Sequence, residues 1–525
     1  MKRLIPLLFL FSLVLPGSVS LANKGTIKEE IEETIDDILQ EEEPNKPEKE
    51  PEVPESPIEG TVKILRSPST SIYQMKQWAS QEKYKADPDF IRLATDFYVI
   101  SIKYGVDPAV TYAQAAKETN FMRYTGVVNK NYYNPCGLKI TAGGGDDDIH
   151  AHKKFDSWTE GITAQVHHLA LYAGQEGFPL KKTPDPRHFS SIFKKAEHVE
   201  ELGTLWAPSR DYGFDILRYM EEMHKFPLSS VSRISGKDRY ETAANINKYL
   251  EINTKSAVIS SGESFADSLT ATTLAKATGS KLYLSKKSGV TFELEQAVKE
   301  KKIDRAIIVG GKNTIETGLD EYLRAKAVVV ERVSGKDRFE TANKIADYIH
   351  GDEVAILSSG EIFADTLAIS PVAVNNKYPI FLTRRDKMDE KTWNQLKEFD
   401  KVLVLGGENT ISKAIEQKIK NQGINVERIA GNDRYGTSLL IAKRFYRNNI
   451  SQIFADGRNF ADSLASVAFS DENNGPIILV NNAIPPSLVR FLKESKPSFT
   501  FIIGGHQSIS ERFEEQLKKD VYQEK

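Results

Sequence analysis

Three segments in the last three hundred residues repeat one another. RISGKDRYETA begins at Arg233, RVSGKDRFETA at Arg332 and RIAGNDRYGTS at Arg428. A period of roughly 100 residues is far above the period of about 20–50 that stacks into a solenoid, so each unit has room for its own small core. Further landmarks recur in phase. SFADSL (264–269), IFADTL (362–367) and NFADSL (459–464) are followed by IIVGGKNTI, VLVLGGENTI and FIIGGHQSI. Short continuous apolar runs such as Ala257–Ile259, Lys281–Leu284 and Ala306–Val309 alternate with helix-period stretches such as Ala266–Ala277 and Phe292–Lys299. Apolar runs without alternation belong to strands buried on both faces, which predicts parallel sheets covered by helices. The third unit departs most, with Gly436-Thr437-Ser438 in place of Glu-Thr-Ala.

Three such units leave more than two hundred residues unexplained in a chain of 525, so further domains precede them. The net charge of −3 offers no bulk field for nucleic acid. A single cysteine, Cys136, rules out an intrachain disulfide, so stability must come from packed cores. Its position in a loop fits a buried packing residue better than a nucleophile.

Residues 1–22 read as a signal peptide: Lys2-Arg3, then Leu4–Leu15 apolar, a Pro16-Gly17 break, and Ser20-Leu21-Ala22 at the cleavage positions. Once it is removed, no membrane attachment is expected. Residues 23–60 are acidic and then Pro-rich, the composition of an extended linker. Residues 61–228 form a mostly helical domain with helices over Asp89–Tyr104, Pro108–Phe121, Trp158–Ala173 and Asp211–His224. The Asn- and Gly-rich segment Thr125–Lys154 suits a β-hairpin lobe. The repeats follow as 229–329, 330–425 and 426–525.

The chemistry concentrates in DPAVTYAQAAKETNFMRYTGVVNKNYYNPCGLK, from Asp107 to Lys139. Asp107 can cap a helix and Pro108 fits its first turn. Glu118 lies near the end of that helix, beside an aromatic, turn-rich loop. A carboxylate lifted over a cleft is how a glycosidase presents its general acid. AQAAKETNF and YYNPCGLK resemble motifs of the endo-β-N-acetylglucosaminidases that cleave bacterial peptidoglycan (glycoside hydrolase family 73). GGGDDD (143–148), FDSWTEGITAQVHHLALYAG (155–174), TPDPR (183–187) and LWAPSRDYG (205–213) extend the resemblance over most of residues 90–225. The repeats resemble type 2 cell wall-binding repeats of Gram-positive surface proteins.

The first resemblance implies a lysozyme-like α+β fold and no cofactor or metal. It places the general acid at Glu118, with a pKa raised by partial burial. The second carboxylate falls among Asp146, Asp147 and Asp148; Asp147 is preferred and Asp146 comes next, the alternatives being solvated turn residues or a cation site. Tyr212 would line the cleft, or be a core tyrosine. Asn134 and Gly137 belong to the loop motif, while Tyr132, Tyr133 and Trp206 are sugar-stacking platforms or plain packing. The second resemblance implies three repeats about a pseudo-threefold axis, holding the protein to the wall through an anionic, teichoic acid-like polymer. Arg233, Arg239, Arg332, Arg338, Arg428 and Arg434 would grip that polymer, or else form internal salt bridges with partners such as Asp238, Asp337 and Asp433. Phe265, Phe363 and Phe460 read as core, and the aspartates after them as helix caps.

The expected protein is a secreted, wall-associated autolysin of Gram-positive type, with peptidoglycan and an anionic wall polymer as partners. Two other classes compete. His150-x-His152 with His167-His168 could build the zinc site of an N-acetylmuramoyl-L-alanine amidase. A non-catalytic surface adhesin is the third reading, against which the intact Glu118 motif stands.

Overall fold

The structure, a computed structural model, describes residues 61–523 apart from 204, 251, 252, 350, 352, 447, 448 and 461. The signal-peptide and linker expectations (1–22 and 23–60) lie outside them. Among the described residues one compact unit spans 61–230 and takes in the tail from Tyr522; the other spans 231–521.

The first unit is helical. Its helices are α1 (Ile72–Ala79), α2 (Pro88–Arg92), α3 (Ala94–Lys103), α4 (Pro108–Thr119), α5 (Trp158–Ala173) and α6 (Tyr212–Met223). The sequence-predicted helix over 89–104 is two pieces meeting at Leu93. The caps follow side-chain chemistry: Ser71 forms a capping box with Gln74, and Asp87, Asp107 and Ser157 each accept a backbone N–H of the helix they start. Helix α4 is the buried centre, with ten of its twelve residues enclosed. Tyr112 stacks on Phe90 and donates its hydroxyl to the Phe90 carbonyl at 2.9 Å. Trp78, Tyr84, Phe97, Phe121 and Tyr219 complete one aromatic core around it. From α5, Gln165 donates to the Thr111 carbonyl and to Gln114 Oε1, a polar pin through the helix pair.

The lobe over 125–154 holds no hairpin ladder. Lys139 and His152 form one isolated antiparallel bridge, and the rest is turns and single turns of tight helix. Gly143 and Gly144 both take positive φ, and Asp148 folds back on the His150 amide, so the backbone is drawn into local bonds instead of strand pairing.

The second unit contains three four-stranded sheets. The strands are β1 (Ser230–Ile234), β2 (Ser256–Ser261), β3 (Lys281–Ser285), β4 (Arg305–Val309), β5 (Val329–Val333), β6 (Val354–Ser359), β7 (Ile380–Thr383), β8 (Lys401–Leu405), β9 (Asn425–Ile429), β10 (Ser451–Asp456), β11 (Ile477–Val480) and β12 (Phe499–Ile503). The sheet orders are β3-β2-β4-β5, β7-β6-β8-β9 and β11-β10-β12-β1. Strands β2, β6 and β10 each pair in parallel with both neighbours; Ile259, for example, lies between Tyr283 and Ile308. The central strands are buried along all or all but the first residue of their length, as their continuous apolar runs require.

The strand that opens each sequence repeat is housed in the sheet of the repeat before it. β5 and β9 complete the first and second sheets, while β1 returns to complete the third. The layered unit is therefore shifted by one strand from the repeat visible in the sequence, and the module closes into a ring. At its centre Phe265, Phe363 and Phe460 meet with ring centroids 5.6–6.0 Å apart. Over each lies an arginine of the following repeat in the ring: Arg338 on Phe265, Arg434 on Phe363 and Arg239 on Phe460.

Candidate active site

Glu118 is the penultimate residue of α4, and the backbone stops the helix at once behind it. Asn120, Phe121 and Met122 take φ of 50°, 58° and 58°, left-handed values that cost L-residues on the order of 1 kcal/mol each. Packing over-determines the turn: Phe121 is buried in the aromatic core, and Thr119 Oγ1 accepts the Met122 amide at 2.9 Å. The helix thus ends with its glutamate pointing into a groove of about 760 Å³.

The carboxylate is exposed on the groove side and held from behind. Trp206 Nε1 donates to Glu118 Oε1 at 3.0 Å, and the Tyr212 hydroxyl donates to the same oxygen. Oε2 is left facing Gly137, whose φ is +68°; a Cβ there would stand 3.6 Å from Oε2 and narrow its approach. Crowding by protein pushes the Glu118 pKa up, and the two donors and Lys117 pull it partly back. The carbonyl end of α4 also disfavours an anion there. Open water on one side keeps the acid within reach of solvent protons.

Tyr212 is itself buried, and burial beside Glu118 drives its own pKa far up, so it stays a donor. Gln114, four residues before Glu118 on the same face of α4, lies within reach of the Tyr212 hydroxyl. Sequence reasoning did not single out Gln114; its place in the AQAAKE string, one helical turn from the acid, was the available signal.

Of the paired-acid candidates, Asp146 lines the groove and Asp147 does not. Asp146 is ion-paired to Lys139 at 2.7 Å, which holds its carboxyl below the usual range, and its charge contributes to the upward push on Glu118. Asp148 caps a short turn through the His150 amide. Asp146, not the preferred Asp147, is thus the member of this run that stands in the groove wall, after the Gly143–Gly145 turn.

Asn134 works inward. Its amide donates to the Leu138 and Lys153 carbonyls at 2.8 and 2.9 Å and accepts the Leu138 N–H at 3.0 Å, so it organises the loop that carries Gly137. Trp206 lines the groove, with its edge packed on His168. Tyr132 and Tyr133 are not among the lining residues, and Tyr133 packs edge-on against Trp158. Cys136 is buried among Leu138, Phe155 and Ala164, and burial pushes its thiol pKa well above the ordinary value.

The histidines go separate ways. His152 Nε2 meets the Asp146 carbonyl, His167 Nδ1 meets Thr183, and His168 Nδ1 meets Asp185 at 2.8 Å. Among the described residues no three His, Cys, Asp or Glu side chains come together as a metal-ligand set, so the zinc constellation expected of an amidase is not assembled.

In the repeats, Arg233, Arg332 and Arg428 each reach the carbonyl of the first glycine of a Gly-Gly pair (Gly504, Gly310, Gly406) at 2.7–2.8 Å. They also pair with Glu514, Asp320 and Glu416. These are internal fastenings, with partners other than those expected. Asp238, Asp337 and Asp433 instead cap the helices that follow them. The aspartates after the phenylalanines do not cap: Asp267 and Asp365 are buried, and burial raises both, Asp365 to about 6, with Arg338 and Arg434 opposing the rise. Arg239, Arg338 and Arg434 donate to the carbonyls of Gly262, Gly360 and Gly457.

Comparison with known families agrees with this division. The mannosyl-glycoprotein endo-beta-N-acetylglucosaminidase model matches residues 94–225, and the cell wall binding domain 2 model matches 233–319, 332–416 and 428–514. The chain is a glucosaminidase domain followed by three cell wall-binding repeats. It is similar, at 27% identity over 296 residues, to the N-acetylmuramoyl-L-alanine amidase LytC of Bacillus subtilis (strain 168), over 56% of this chain and 59% of the relative. A match of the same length and identity to the amidase enhancer of that strain covers 41% of the relative. The chain thus spans about half the length of these curated relatives. Cwp6 from Clostridium difficile superposes with a TM-score of 0.50 at 25% identity, over 53% of this chain and 46% of the other. Cwp8 from the same organism gives 0.52 at 24% identity, over 60% and 56%.

Proposed function

We propose that the protein is an autolysin that cleaves the β-1,4 bond following N-acetylglucosamine in the peptidoglycan glycan strand. The carrying observation is the asymmetry at Glu118: one oxygen is taken by Trp206 and Tyr212, and the other faces the groove across a glycine. The free oxygen carries the proton delivered to the glycosidic oxygen. As the proton leaves, negative charge develops on the carboxylate, and the two fixed donors stabilise it. Asp146, kept ionised by Lys139, supplies the negative charge that balances the oxocarbenium-like sugar or activates water, with the 2-acetamido group of the substrate able to assist.

Purified walls treated with the full-length protein should release fragments with N-acetylglucosamine at the new reducing end. Glu118→Gln should lower that release by about 10²–10⁴-fold, the range for loss of a general acid. A variant that kept the parent rate, or fragments ending in N-acetylmuramic acid or freed peptide, would remove the reading.

We further propose that the repeats hold the enzyme to an anionic wall polymer. Arg239, Arg338 and Arg434 are better placed than Arg233, Arg332 and Arg428, whose charges are already matched by carboxylates. Export and wall association follow from the same reading. Among the described residues no helix is long and apolar enough to cross a membrane.

A further inference from the structure

The TPDPR string (183–187) is built into the groove wall, and the mechanism above makes no use of it. Asp185 is fully enclosed. It accepts the ring N–H of His168 at 2.8 Å, that of His188 at 3.1 Å and the Arg187 amide at 2.9 Å. Burial pushes its pKa up, but those donors outweigh it and hold the carboxyl at about pKa 2. Thr141 from the turn-rich lobe donates to the Pro186 carbonyl at 2.9 Å. The peptide unit that leads into Arg187 is therefore fixed from both of its polar groups, its N–H by a buried carboxylate and its carbonyl by the opposite lobe.

The side chain that emerges from this anchor lines the groove. Its guanidinium packs on Phe189, with 5.4 Å to the ring centroid, and lies against Gly143. A Cβ on Gly143 would stand 3.6 Å from the Arg187 nitrogen. Two long cations line the groove, Arg187 and Lys139. Lys139 is neutralised by Asp146, whereas Arg187 has no carboxylate partner among the described residues. A rigidly mounted, unpaired guanidinium in a cleft is a fork set for a planar anion.

The sugar rings of a glycan strand are neutral. Their regular anionic group is the carboxyl of the 3-O-lactyl arm of N-acetylmuramic acid, either free or extended by a peptide that bears further carboxylates. We propose that Arg187 is a specificity-determining residue that binds the carboxylate borne on the muramic-acid arm of the strand. This rests on the glucosaminidase reading above. Arg187 selects which saccharide may lie beside the cleaved bond and takes no part in the proton transfer at Glu118.

The test uses the full-length protein and three substrates: glycan strands stripped of peptide, the same strands with their lactyl carboxyls converted to methyl amides, and strands with intact peptide. The parent should cleave the stripped strands with kcat/KM roughly tenfold above the amidated ones, the order expected for one charged hydrogen-bonded pair. Arg187→Gln should erase that ratio, cutting kcat/KM on the stripped strands by roughly tenfold more than on the amidated ones, while Arg187→Lys should keep part of it. A loss by Arg187→Gln on intact strands as well assigns the contact to carboxylates of the peptide; a loss confined to stripped strands assigns it to the lactyl group. Equal rates for the parent on stripped and amidated strands, or an equal proportional loss on both in Arg187→Gln, would overturn the proposal while leaving the glucosaminidase reading standing. Failure of the parent to cut any of the three strands would overturn that reading, and this proposal with it.

Discussion

Tyr212→Phe isolates one donor at the acid while keeping the ring that packs around it. The hydroxyl donates to Glu118 Oε1, the oxygen that Trp206 also reaches at 3.0 Å. A hydrogen bond to a charged group contributes about 1.5–3 kcal/mol. Glu118 opens onto solvent on its groove side, so the low end of that range applies. The bond is stronger to the carboxylate than to the protonated acid, so its loss falls mainly on the transition state. About 1.4 kcal/mol corresponds to roughly a tenfold drop in kcat. The sign on the pH axis is fixed by the same argument. The Tyr212 bond lowers the Glu118 pKa, so removing it raises that pKa, and a general acid then stays protonated to higher pH. The variant should be slower at its optimum, with the alkaline limb of its pH–rate profile displaced upward. Initial rates of reducing-end release from purified walls, taken across pH 4–9, read both effects at once. An alkaline limb that stays in place or moves down, in a variant whose thermal unfolding matches the parent, would show that Tyr212 is only a core tyrosine.

Three further outcomes are expected. Gly161→Ala should destabilise the glucosaminidase domain by about 3 kcal/mol, seen as a lower urea midpoint, because the new Cβ would sit 1.8 Å from the Tyr133 carbonyl oxygen; an unchanged midpoint would mean that α5 and the 130–137 loop are not in that contact. Arg332→Ala breaks a pair whose side chains are 15% and 9% exposed, so it should cost about 3 kcal/mol in repeat stability while wall binding well below the unfolding temperature stays at parental strength; weaker binding at an unmoved midpoint would return this arginine to the polymer surface. A chain shortened to begin at Ser235 loses β1 and exposes the edge of β12, a strand buried throughout its length, so it should associate in size-exclusion chromatography where a chain beginning at Ser229 stays monodisperse.

The sequence was informative where chemistry is local. Helix α4 was legible because Asp107 and Pro108 mark its start and because a buried helix declares itself by its apolar period. The parallel sheets were legible because strands covered on both faces are written as unbroken apolar runs. The repeat was legible at sight, since three copies of one string need no physics to notice. Glu118 could be picked out from the strings that surround it.

Other features depended on which distant segments meet. That β1, β5 and β9 each complete a neighbouring sheet follows from ring closure, and a strand's sheet cannot be read from its own five residues. That Asp146 rather than Asp147 lines the groove turned on the path of a glycine turn, where a shift of one residue points a side chain elsewhere. Asn134 carries the loop because four backbone groups converge on its amide, and an asparagine in a loop motif has the same letter whether it binds sugar or backbone. The arginines that open the repeats found carboxylates on helices twelve residues before them or at the far end of the chain, not the aspartate five residues ahead. The raised pKa of Glu118 likewise comes from the protein packed around it, while Tyr212 on α6 and Trp206 pull it partly back by donating to one oxygen and leave the other facing the groove. Local order is encoded by neighbours along the chain, whereas a pKa and the direction of a side chain are set by neighbours in space.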